Sequence, residues 1–189
     1  MNRSDSLAQV AAEVRVCTKC PLALSRTHAV PGEGPADARI MFVGEGPGRH
    51  EDLQGRPFVG ASGRYLQSLM AEIGLERSAV FITNVVKCRP PENRDPQPNE
   101  LTACRAYLDR QLALIQPRVV VTLGRHSMAR YFPGQSITRI HGQAKRVGNT
   151  YYLPLFHPAA ALRRDDWRAD MLKDFQQIPI LLAELEKTD

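Results

Sequence analysis

The sequence predicts an α/β fold in which a parallel sheet is covered by helices on both faces. Three observations carry this expectation. Four short runs, RIMFV (39–43), VFITNVV (80–86), RVVVTLG (118–124) and TYYLPLF (150–156), are rich in β-branched and aromatic residues and are bounded by turn residues, as strands are. The runs are nearly continuous in apolar character, which suits strands buried on both faces. Segments of helical spacing lie between them, and strands that alternate with helices assemble into a parallel sheet.

After the first run, Leu66, Leu69, Met70 and Ile73 recur at helical spacing, with Ser62 near the start and Gly74 just past the end as a C-cap. After the second, Leu101, Cys104, Leu108, Leu112 and Ile115 mark one face of a helix opened by Pro98, whose missing N–H costs nothing in a first turn. The last helical pattern covers 166–185 and is expected to bend or break at Pro179. A chain of 189 residues without repeats, low-complexity tracts or long linkers fits one domain over 1–189.

A formal net charge of +5 admits a polyanionic partner without requiring one. No segment approaches the ~18 apolar residues of a membrane span, and the N-terminus has no apolar core of signal-peptide length. A soluble, cytoplasmic protein with no membrane partner is expected. In a reducing compartment its four cysteines are then core thiols or ligands rather than disulfides.

In an open parallel sheet the site lies beyond the carboxyl ends of the strands. The punctuated segments all fall there: GEGPGRHED, NVVKCRPPENRDPQPN, LGRHS and FHPAAAL. The first is neither a dinucleotide fingerprint nor a P-loop, since its glycines are spaced G-x-G-x-G and no Lys-Ser/Thr follows. A glutamate aimed at a phosphate would repel it. Glu45 and Glu51 instead suit a centre that gains positive charge, or a water that must be oriented, while the glycines let a neutral ring approach the backbone. The plainer reading is a tight strand-to-helix turn with solvated acids.

Cys17 and Cys20 form C-x-x-C, and Cys88 and Cys104 follow far downstream, with Cys104 on the apolar face of its helix. Four converging thiolates can hold zinc or an iron–sulfur cluster; the alternative is a redox pair plus core thiols. His157 follows the fourth strand directly and is fixed by Pro158, where it can donate to an oxygen gaining negative charge or serve as a structural hydrogen-bonder. Asn84 closes the second strand with an amide able to donate to and accept from a base edge. Phe58 lies in a glycine-rich loop and is a candidate stacking platform.

GEGPGRHEDLQGRPFVGASG, ITNVVKCRPPENRDP, the four cysteine positions and HPAA together resemble the family 4 uracil-DNA glycosylases, the iron–sulfur type of bacteria and archaea. The resemblance runs from about Cys17 to the C-terminal helix. It implies a three-layer α/β/α sandwich with a central four-stranded parallel sheet. It also implies a [4Fe–4S] cluster on Cys17, Cys20, Cys88 and Cys104, and hydrolysis of the N-glycosidic bond of deoxyuridine by a cytoplasmic monomer acting on double- or single-stranded DNA.

Carried over by position, the resemblance has Glu45 and the Gly46 backbone flank the uracil and its sugar, and makes Glu51 the second acid. Phe58 stacks on the base, Asn84 reads its polar edge, His157 contacts the carbonyl that becomes anionic, and Asn93 is a further polar position. Arg89 and Arg94 are candidate phosphate contacts. Gly46 stands where the family usually has alanine. A related family that becomes covalently trapped on uracil DNA has glutamine there and a basic histidine-containing insert; this chain has neither, so turnover is expected. The rival from another class is a non-catalytic, metal-stapled DNA-binding module.

Overall fold

The structure, a computed structural model, describes residues 6–187. The chain runs α1 (Leu7–Arg15), α2 (Leu22–Ser25), β1 (Ile40–Gly44), α3 (Arg49–Gln54), α4 (Ala61–Glu72), β2 (Phe81–Asn84), α5 (Pro98–Ile115), β3 (Val119–Leu123), α6 (Arg125–Met128), α7 (Ile137–Ile140), β4 (Lys145–Val147), β5 (Thr150–Leu155), α8 (Pro158–Ala161), α9 (Asp165–Phe175) and α10 (Gln177–Glu186).

The sheet order is β2-β1-β3-β5-β4, and the first four of these are mutually parallel. Period-two alternation divides β1 between two cores. Ile40 and Phe42 pack with Leu66 and Met70 of α4, Met171 and Phe175 of α9, and Leu181 of α10. Met41 and Val43 face the opposite way, onto Leu108 and Ile115 of α5. Helices therefore cover both faces, and the α/β sandwich expected from the sequence is what forms. β1 is followed by a neighbour on one side and then, after β2, by β3 on the other. The crevice of this open sheet accordingly lies at the carboxyl ends of β1 and β3.

Two expectations are corrected. The sheet has five strands, not four: β4 pairs antiparallel with β5, joined through the two-residue turn Gly148-Asn149. All three β4 residues are exposed and two are basic, so no apolar run announces the strand, and the charges discourage pairing with a further chain. The C-terminal helix breaks at Gln176 rather than at Pro179. Pro179 lies in the first turn of α10, where a missing N–H is harmless, while its ring would clash with the carbonyl four residues back had the helix run on unbroken. No helix among the described residues is long and apolar enough to cross a membrane.

Candidate active site

A cleft of about 430 Å³ opens at the carboxyl ends of the strands. It is lined by the loop after β1, the 58–62 segment, Asn84, the 90–94 turn and the start of α8. Glu45, Gly46, Glu51, Phe58, Asn84, Asn93 and His157 all line it, so segments scattered over the chain meet at one place.

Glu51 is held by three backbone amides. Its Oε2 accepts from Gly48 N at 3.1 Å, and its Oε1 from Val59 N and Gly60 N at 2.8 Å each. A carboxylate engaged in this way ties the glycine loop to the Phe58 loop and fixes both walls of the cleft. Asn93 is an exposed rim residue whose Oδ1 accepts from Arg89 Nε at 2.8 Å.

The floor is built around Gly44. A Cβ there would lie 2.4 Å from Asn84 Oδ1 and 2.6 Å from Phe58 Cζ, so only glycine lets the amide and the ring close over the strand end. Phe58 is more of a core residue than its glycine-rich surroundings suggest: it is 6 % exposed and packs into the main apolar cluster. Its φ of 50° is rare for a large side chain, and such strain gathers at functional sites. Arg77 Nη1 steadies the loop by donating to the Phe58 carbonyl at 3.0 Å. Asn84 is 1 % exposed and its Oδ1 has no hydrogen-bond partner. Beneath it the buried Lys87 ammonium donates to Asn84 O at 2.8 Å, Gln111 Oε1 at 2.7 Å and Thr83 Oγ1 at 2.5 Å. Burial pushes the Lys87 pKa down to about 7. Replacing Gly44 with alanine should displace both Asn84 and Phe58; loss of about 10²-fold or more in the rate of any reaction housed here is expected. A variant as active as the parent would show that this floor does not shape the site.

His157 caps α8: its Nδ1 accepts from Ala159 N at 3.1 Å, which leaves the ring proton on Nε2. Burial, only partly offset by the Glu51 charge, pushes its pKa down to about 4, so the ring is neutral near pH 7. The ring lies 5.9 Å from that of Phe58, centroid to centroid. A neutral imidazole with a fixed Nε2–H is a hydrogen-bond donor prepared in advance.

Glu45 follows β1 and is partly buried. Burial raises its pKa; His126 and Arg125 act to lower it and Asp95 to raise it. His126 was not singled out by the sequence, although LGRHS was placed at the carboxyl end of the third strand. The structure brings its Nε2 to 3.9 Å from Glu45 Oε2 and 3.7 Å from Asp95 Oδ1. Gly46 faces Val86: an added Cβ would lie 2.8 Å from Val86 Cγ2, so the family's usual alanine fits here only if Val86 moves.

The four cysteines share one apolar cluster with Val10, Val14, Leu22, Val86 and Tyr107. Cys88 Sγ accepts from Arg26 Nη1 at 3.1 Å and Cys104 Sγ from Lys87 N at 3.4 Å. Burial raises the pKa of Cys88 and pushes that of Cys104 up to about 11, so thiolates here need a bound cation. Four sulfurs in one apolar pocket with N–H donors aimed at two of them fit a thiolate-ligated metal group. Among the described residues no three of these thiols lie mutually within 4.8 Å of one another.

Residues 31–178 match the uracil DNA glycosylase superfamily, which places the protein in a class of α/β base-excision enzymes. The chain is 50% identical over 184 residues to the type-4 uracil-DNA glycosylase of Sulfurisphaera tokodaii, covering 92% of this chain and 84% of that protein. It is 46% identical to the type-4 enzyme of Saccharolobus solfataricus, over 95% of this chain and 88% of the other. With that of Archaeoglobus fulgidus the identity is 43%, over 97% of each chain. The chain belongs to the type-4 uracil-DNA glycosylases.

Proposed function

We propose that the chain is a monofunctional uracil-DNA glycosylase that hydrolyses the N-glycosidic bond of deoxyuridine in DNA and leaves an abasic site. The observation that carries this reading is the presence, in one cleft, of a neutral imidazole donor and a carboxylate. Breaking the bond leaves negative charge on the base and positive charge on the sugar, and the cleft offers one group for each.

The base is extruded from the stack at a cost of a few kcal/mol. Phe58 stacks against it, and the Asn84 amide, turned about χ2, offers a donor and an acceptor to its polar edge. The orphaned Asn84 Oδ1 supports this, because a buried unpaired acceptor costs about 1–3 kcal/mol and persists where a ligand completes it. The Nε2–H of His157 donates to the carbonyl oxygen that becomes anionic, Glu45 faces the sugar as it becomes oxocarbenium-like, and water completes the hydrolysis. Glu51 acts by holding the loop, and Asn93 by shaping the rim.

Cys17, Cys20, Cys88 and Cys104 hold a [4Fe–4S] cluster in this reading. The cluster supplies a rigid cross-link between the α1–α2 segment, the end of β2 and α5. Cys104→Ala should abolish the visible iron–sulfur absorbance. It should also lower the melting temperature by about 10 °C, taking a few kcal/mol at roughly 2–4 °C each. Zinc in place of iron on metal analysis would refute the assignment.

Phosphate contacts are better sought at Arg49 and Arg163 than at Arg94. Arg94 forms a bidentate pair with the buried Glu100, at 2.7 and 2.9 Å, and is committed to the loop. Arg49 and Arg163 are exposed at the rim of the cleft. Arg163→Gln should reduce the slope of log affinity against log salt by about one. An unchanged slope would remove Arg163 from the DNA interface.

The protein acts as a cytoplasmic monomer in this reading. The direct test uses an end-labelled DNA oligomer with one uracil, split between hot alkali and an unheated SDS gel. Strand cleavage only after alkali, with no shifted protein band, is expected. An SDS-stable adduct would instead mark a covalent trapping protein, and an intact strand with no adduct a binding module.

A further inference from the structure

The first turn of α6 brings a group to the cleft that the reaction outlined above does not use. His126 Nε2 is buried without a hydrogen-bond partner, and it lies with one oxygen of Glu45 and one of Asp95 in a triad whose atoms are all within 4.8 Å of one another. Its separations of 3.9 Å from Glu45 Oε2 and 3.7 Å from Asp95 Oδ1 exceed a direct hydrogen bond and suit a bridging water. Asp95 is itself clamped by the Arg125 guanidinium, from the residue before His126.

We propose that His126 is a positioning residue for Glu45 that holds the carboxylate ionised and in place beside the sugar, against the opposing charge of Asp95. The proposal rests on the glycosylase reading, in which Glu45 must be negative when the sugar becomes positive. His126 and Arg125 come from α6 and Asp95 from the loop before α5, and these three groups act on the Glu45 charge. The other titratable or charged residues lining the cleft are Arg49, His50, Glu51, Arg94, His157 and Arg163. A cation at this distance favours the carboxylate, whereas the Asp95 charge opposes it.

The two neighbours of Glu45 therefore predict opposite effects. Single-turnover uracil excision would be measured from pH 4.5 to 8.5, with the pH of half-maximal rate on the acid side as the readout. In H126Q that acid limb should move up by about one pH unit, because Glu45 loses its cation and ionises later. In D95N it should move down, because an opposing charge is gone and Arg125 is released toward Glu45. A merely structural role for either residue lowers the rate at every pH without moving the limb.

Asp95 is exposed, its side chain 57% accessible, so D95N leaves the core untouched and is read even if H126Q loses stability. Limbs that move in the same direction, or a D95N limb that stays or moves up, would overturn the proposal. The wild-type protein cleaves uracil DNA in each of these cases. If it fails to cleave at any pH, the glycosylase reading itself falls.

Discussion

Replacing His157 with alanine is expected to lower single-turnover uracil excision by about 10²–10³-fold, the size of effect seen when one preorganised oxyanion donor is removed. DNA binding should change little, because the ring lines the cleft rather than its exposed rim. The donor is prepared by two features: Ala159 N occupies Nδ1, which sends the proton to Nε2, and burial keeps the ring neutral. A loss below about threefold would rule out the role.

The pH dependence of stability follows from the same burial. The folded-state pKa, about 4, lies below the ordinary histidine value near 6.5, so protonation favours the unfolded chain. The contribution of the neutral ring is fully present above about pH 6.5 and is lost as pH falls from there through about 4. His157→Gln should weaken that part of the acid-unfolding profile. For catalysis the neutral donor persists down to about pH 4, so the first limb met on acidification belongs to Glu45, whose own pKa is raised by burial.

Asn84→Ala is expected to reduce kcat/KM for uracil DNA by about 10²-fold, through loss of hydrogen bonds to the base edge worth roughly 1–3 kcal/mol. Stability should not fall with it. The side-chain Oδ1 makes no hydrogen bond in the folded protein, and the backbone carbonyl that Lys87 holds is retained in alanine. A residue whose removal costs activity but not stability is kept for its ligand. If Asn84→Ala melts earlier and cleaves normally, the amide is a structural element of the strand end.

The sheet and its two covering layers were legible because buried parallel strands leave near-continuous apolar runs, and α4 and α5 carry their periodicity and caps openly. β4 was not, since an exposed three-residue edge strand leaves only the Gly148-Asn149 turn as a signal. At the site, the glycine loop, Asn84, Phe58 and His157 could be read as candidates, because each lies at or beside a strand end or in a glycine-rich loop. What position could not give was the division of labour between the two acids. Glu51 is spent on three backbone amides, and Glu45 remains partly buried beside charged groups. His126 and Asp95 stayed hidden for the same reason, being 31 residues apart in sequence and joined only by the crevice between β1 and β3.

The most direct test of the account is a single-turnover reaction on a uracil-containing oligomer in ¹⁸O-labelled water, with the free base and the abasic strand both weighed by mass spectrometry. One equivalent of free uracil per strand, with ¹⁸O on the abasic sugar and no protein–DNA species trapped by borohydride, is the predicted result. Uracil that stays on the strand, or a sugar that stays bonded to the protein, would contradict it.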